Sequence, residues 1–75
     1  MSLKSRIFEL LENEYPAWIP LGRIERLAME LGYLGSNAGR RARDLIKEGK
    51  IEHDYNSKGC VSYRFKVEKH QADLI

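Results

Sequence analysis

The chain has 75 residues, 43% hydrophobic and 32% charged, with a formal net charge of +2; this suits one small folded domain and excludes a disordered polyelectrolyte or a body large enough to enclose a bulky substrate. No apolar run approaches a bilayer span, and the amino end MSLKSRIFELLENEY carries charges among its apolar positions, so it lacks a signal peptide's uninterrupted core and a cytoplasmic location is expected. Cys60 is the single cysteine, accompanied by only two histidines, His53 and His70, so neither a disulfide nor a metal site is expected.

Leu3, Ile7, Leu10 and Leu11 recur at helical spacing with Phe8 beside them, predicting a first helix from about Leu3 to Glu14 that ends at Tyr15-Pro16. Ala17-Trp18-Ile19-Pro20 is confined between two prolines and reads as an extended piece able to form a small strand, with Trp18 or Ile19 inward. A second helix starts near Leu21, buries Ile24, Leu27, Ala28 and Leu31, and stops at Gly32. After the brief turn Tyr33-Leu34-Gly35, Ser36 or Asn37 can cap a third helix that buries Ala38, Ala42 and Leu45. Gly39 inside it costs about 1 kcal/mol relative to alanine, which calls for close packing against the second helix or close approach of a nucleic-acid backbone, the packing explanation being preferred. Gly49 ends this helix.

From Ile51 the period changes to two. Ile51, His53 and Tyr55 alternate with Glu52 and Asp54, and Val61, Tyr63, Phe65 and Val67 with Ser62, Arg64 and Lys66. Only a loop of matching parity turns both apolar sets to one side, and Ser57-Lys58-Gly59 provides it, with Gly59 left-handed. The predicted pairs are Ile51 with Phe65, His53 with Tyr63 and Tyr55 with Val61, leaving Glu52 across from Arg64 on the solvent side. Residues 1–75 form one domain whose last eight, 68–75, are expected to fray, although Leu74 and Ile75 could dock.

Charge is unevenly spread. Within residues 36–50, Arg40, Arg41, Arg43, Lys47 and Lys50 outnumber Asp44 and Glu48, whereas the remaining segments are close to balanced. At 100° per residue, Ser36, Arg40, Arg43 and Lys47 share the outward side of the third helix, with Asn37 on its flank and Arg41 nearer the buried edge. The major groove admits one such helix, and guanidinium groups there can reach phosphates or the acceptor edge of guanine. Duplex DNA is therefore the expected partner. Arg23 and Arg26 on the second helix fit either phosphate contacts or surface pairs with Glu25 and Glu30. Tyr15, Trp18 and Tyr63 are expected to fill the core, and His53 to be half-buried.

The order helix, short strand, helix, helix, hairpin resembles the winged helix-turn-helix family of bacterial and archaeal regulators over nearly the whole chain. The segments IPLGRIERLAMELGY and RRARDLIKEGKIEHD carry the likeness, being similar to that family's second helix and to a recognition helix running into its wing. The resemblance implies an α+β fold of three helices with a short strand and a C-terminal β-hairpin wing. It also implies sequence-specific binding of double-stranded DNA, with Ser36, Asn37, Arg40, Arg41, Arg43 and Lys47 facing the groove or its rims and Asn56, Ser57 and Lys58 at the wing tip.

Nothing in the sequence points to an enzyme or a cofactor: no glycine-rich phosphate loop between strand and helix, no nucleophile spaced with a base. The competing expectation is a protein-interaction module within a replication or transcription assembly. A homodimer is also expected, since one helix reads few base pairs; the first helix, where Phe8 exceeds a single buried stripe, is the preferred dimer surface and the Leu74-Ile75 end the other.

Overall fold

The computed structural model describes residues 2–67. It is an α+β arrangement of three helices, α1 (Leu3–Glu14), α2 (Leu21–Glu30) and α3 (Ser36–Lys47), with three strands, β1 (Ile19–Pro20), β2 (Ile51–Tyr55) and β3 (Val61–Phe65). The strands form one antiparallel sheet in the order β1-β3-β2.

α1 starts where Ser2 Oγ accepts the Ser5 amide at 3.1 Å, filling one of the donors that a helix start leaves open. Leu3, Ile7 and Leu11 are buried from it, Ile24 and Ala28 from α2, and Ala38, Ala42 and Leu45 from α3. Ile19, Ile51 and Tyr63 close the core from the sheet. Phe8 is not surplus: it packs on Phe65 within the chain, ring centroids 5.6 Å apart, which removes the reason for placing a dimer surface on α1. The Leu74-Ile75 alternative lies outside the described residues.

α2 and α3 end alike. Tyr33 N–H donates to Ala28 O and Gly32 N–H to Met29 O; Lys50 N–H donates to Leu45 O and Gly49 N–H to Ile46 O, all within 2.9–3.0 Å. These are Schellman closures, and Gly49 at φ 76° takes the left-handed position that a side chain would strain. The start of α3 departs from expectation. Ser36 is already helical, and Gly35, itself in helical backbone geometry, stands at the cap with no side-chain acceptor; the 3.0 Å bonds from Asn37 N–H to Leu34 O and from Ala38 N–H to Gly35 O tighten the entry instead.

The hairpin register agrees residue by residue with the parity argument: Ile51 opposite Phe65, Glu52 opposite Arg64, His53 opposite Tyr63 and Tyr55 opposite Val61. Its base is held by Lys66 N–H donating to Lys50 O at 3.1 Å. Burial, however, fades along β2. Ile51 is buried but His53 is exposed and Tyr55 is 63% exposed, because the hairpin extends past the helices that would cover its inward side. Trp18 and Tyr15 are likewise exposed, Ile19 being the inward residue of the extended segment, and Leu31 lies at the surface beyond the last turn of α2.

Candidate nucleic-acid interface

The basic segment keeps only part of its charge free. Asp44 is taken by Arg41 at 3.5 Å, one turn away on the same helix. Glu48 is taken from two directions, by Lys4 at the start of α1 and by Lys50 at 3.5 Å. The Lys4 contact, foremost among the causes, holds the Glu48 carboxyl below its ordinary range. Both acids of residues 36–50 are thereby engaged by cations that do not share the outward side of α3. Among the described residues, Arg40, Arg43 and Lys47 make no salt bridge, and all three are exposed. A row of unneutralised cations along one helix side is what an anionic partner requires.

The six α3 residues singled out from the sequence point in different directions. Ser36 and Arg40 are exposed on the outward side. Arg43 and Lys47 turn toward the hairpin and line a cleft of about 390 Å³ shared with His53, Tyr55, Val61 and Tyr63. Asn37 and Arg41 are half-buried and line a separate cavity of about 360 Å³ with Ser2, Lys4 and Tyr33, against the start of α1. The 100° rotation per residue sets Asn37 and Arg41, one turn apart, on one flank, while Arg43 and Lys47 share the outward side with Ser36 and Arg40 and also border the hairpin.

At the hairpin tip Asn56, Ser57 and Lys58 are all exposed. Asn56 is also structural. Its side-chain oxygen accepts the amides of Lys58 at 2.8 Å and Cys60 at 3.0 Å, its backbone N–H donates to Cys60 O, and Gly59 N–H donates to Asn56 O. The three-residue loop with Gly59 at φ 81° is thus a fixed turn, and Lys58 projects from a rigid base without a salt bridge among the described residues.

Sequence reasoning missed the cleft. Register assigns His53 and Tyr55 to the inward side, and nothing in the residue pattern reveals where the covering helices stop. Yet the two rings meet edge to face, centroids 5.9 Å apart, beside the cations of α3. The one sign in the sequence was Gly39. A Cβ built there meets nothing within 4 Å, so the expectation that packing against α2 demands glycine is incorrect; Gly39 borders the open cleft instead.

A third feature is apolar. Met29, Leu31, Tyr33 and Leu34, at the end of α2 and in the turn before α3, are all exposed, Leu34 to 73%. No three of the described His, Cys, Asp and Glu side chains gather as a metal set, and no described helix is long and apolar enough to cross a membrane. Compared with protein-family models, curated proteins and solved structures, the chain matches none.

Proposed function

We propose that this chain is a winged helix-turn-helix domain that binds double-stranded DNA sequence-specifically, as a small transcription regulator. α3 enters the major groove, and the hairpin acts as the wing, setting Lys58 against the adjacent backbone. The observation that carries this reading is the sorting of charge in residues 36–50. Asp44 and Glu48 are engaged by Arg41, Lys4 and Lys50, which leaves Arg40, Arg43 and Lys47 exposed and without a salt bridge among the described residues. Arg40, on the outward side of α3, is the residue placed to read a base edge; Lys47 and Lys58 serve as phosphate contacts.

The test is the affinity for a mixed-sequence duplex across a salt series. Two cations on phosphates, Lys47 and Lys58, give a slope of about −2 in log affinity against log salt. A slope near zero, or no retention on duplex at low salt, overturns the proposal.

The exposed Met29, Leu31, Tyr33 and Leu34 favour a second reading, a protein-interaction module in a replication or transcription assembly. That module would show no steep salt dependence on DNA. Its partner would protect these four side chains rather than those of α3.

A further inference from the structure

We infer that the cleft between α3 and the hairpin holds a single unpaired DNA base, so that the chain prefers a duplex carrying an unstacked nucleotide to a continuous one. This inference rests on the DNA-binding reading and adds to it a class of substrate.

The two walls of the cleft differ in chemistry. Arg43 and Lys47 stand on the helix wall with no salt bridge among the described residues, and His53 and Tyr55 stand on the hairpin wall with rings in edge contact at 5.9 Å. Cations beside exposed aromatic rings are the pairing that single nucleotides select, because the phosphate takes the charge and the flat base takes the ring. Tyr55 is suited to this: it is 63% exposed, it lies at the inward parity of β2, and no helix covers it. At about 390 Å³ the cleft is at the lower end of small-ligand sites. That size suits one base, whereas a base within an intact stack presents only its edge.

Gly39 supplies an independent observation. Glycine weakens a helix interior, yet here no neighbour needs the missing side chain, since a built Cβ meets nothing within 4 Å. What its absence keeps open is the helix wall of the cleft. Room maintained at a cost to helix stability is explained by an occupant.

The experiment uses the full chain and three labelled duplexes of one sequence, read by fluorescence anisotropy at fixed salt. One is continuous, one carries a single extra adenosine, and one carries an abasic residue at that position. The abasic duplex keeps the extra backbone residue and the phosphate number of the adenosine duplex but has no base. The expected result is about tenfold tighter binding of the adenosine bulge than of the abasic bulge. Replacing the adenosine with 2-aminopurine should report quenching on binding. Gly39→Leu and Tyr55→Ala should each abolish the tenfold preference, and Tyr55→Phe should retain it. Gly39→Leu adds bulk where space is open, and helical circular dichroism checks that it folds. Equal affinity for the adenosine and abasic bulges overturns the inference while the continuous duplex still binds with its salt slope. A chain that fails on continuous duplex but quenches 2-aminopurine in the bulge overturns the duplex reading and upholds the cleft. Preference undiminished in both Gly39→Leu and Tyr55→Ala places the base elsewhere and overturns the assignment.

Discussion

The guanidinium of Arg64 lies over the Trp18 ring, its central carbon 4.4 Å from the centroid, while Nε donates to Glu52 Oε2 at 2.7 Å. The row runs from Trp18, the residue before β1, across β3 to β2, since β1 pairs with β3 at Ile19–Tyr63 and β3 with β2 at Arg64–Glu52. One planar cation thus ties a two-residue strand to the hairpin. Arg64→Lys keeps the charge but loses the flat stacking surface and the fork. Its expected effect is a loss of about 0.5–1 kcal/mol in urea unfolding, with a red shift of Trp18 emission in the folded state. An unchanged emission maximum would show that the ring is not held by Arg64.

Two glycines should respond with opposite signs. Gly39→Ala adds a methyl where nothing lies within 4 Å, and should raise stability by up to about 1 kcal/mol. Gly49 sits at φ 76°, and its replacement by alanine should lower stability by about 1 kcal/mol or more. Chemical denaturation of the two variants beside the parent checks this, and a destabilised Gly39→Ala would reveal packing absent from the structure.

Arg40→Ala should weaken binding to a preferred site by about 1–3 kcal/mol and relax the preference at one base position. Lys58→Ala should weaken all duplexes alike and reduce the salt slope by about one. Site selection from random duplexes, repeated with each variant, separates the two. A Lys58 variant that changed base preference would assign groove reading to the hairpin tip.

Burial pushes the Tyr63 hydroxyl above its ordinary value near 10, with Tyr55 acting in the same direction and Arg43 against it. The sign follows from linkage. The neutral form is favoured in the folded state, so Tyr63's contribution is full below the unfolded value and is lost as pH rises from about 10 through the higher folded one. Stability should therefore fall more steeply above pH 10 in the parent than in Tyr63→Phe, measured by urea midpoints across alkaline buffers. Parallel curves would show that the hydroxyl ionises as freely folded as unfolded.

If the chain regulates through a two-fold site, two copies should occupy one palindromic duplex with half-sites about one helical turn, near 34 Å, apart. Sedimentation with a palindromic and a single half-site duplex measures this. One copy on each, at concentrations well above the dissociation constant, would show that a single domain is the binding unit.

Elements set by local spacing were legible in the sequence. The bounds of α1 follow from Leu3, Ile7 and Leu11, and the hairpin register follows from the parity of Ser57-Lys58-Gly59, because period and turn chemistry act within a few residues. What escaped depends on where one element stops covering another. Tyr55 and His53 have inward parity but extend beyond the helices, Leu31 has the right spacing but lies past the last covered turn, and of Trp18 and Ile19, either of which the spacing allows inward, Ile19 is the buried one. The cap of α3 was misread because Gly35 in helical geometry moved the helix start one residue earlier than a side-chain acceptor at Ser36 would require. For the candidate site, the wheel gave the outward cations and set Asn37 and Arg41 apart from them, but not the cavity beside α1 or the cleft beside the hairpin, which depend on what stands next to α3.

The buried side of α3 is made of alanine at Ala38 and Ala42, and only at Leu45 does a long side chain enter the core. Separation between packed helices follows the bulk at their contacts, so these two methyl groups fix the height of the pedestal on which the basic row stands. Arg40 and Arg43 owe their reach to residues that are themselves fully buried. Enlarging Ala42 to valine would lift the shaft by a fraction of a side chain, at about 1–3 kcal/mol of overpacking. The elevation of the charges would change while their number stayed the same, so that in the proposed groove-binding mode the depth of insertion would be tuned from beneath.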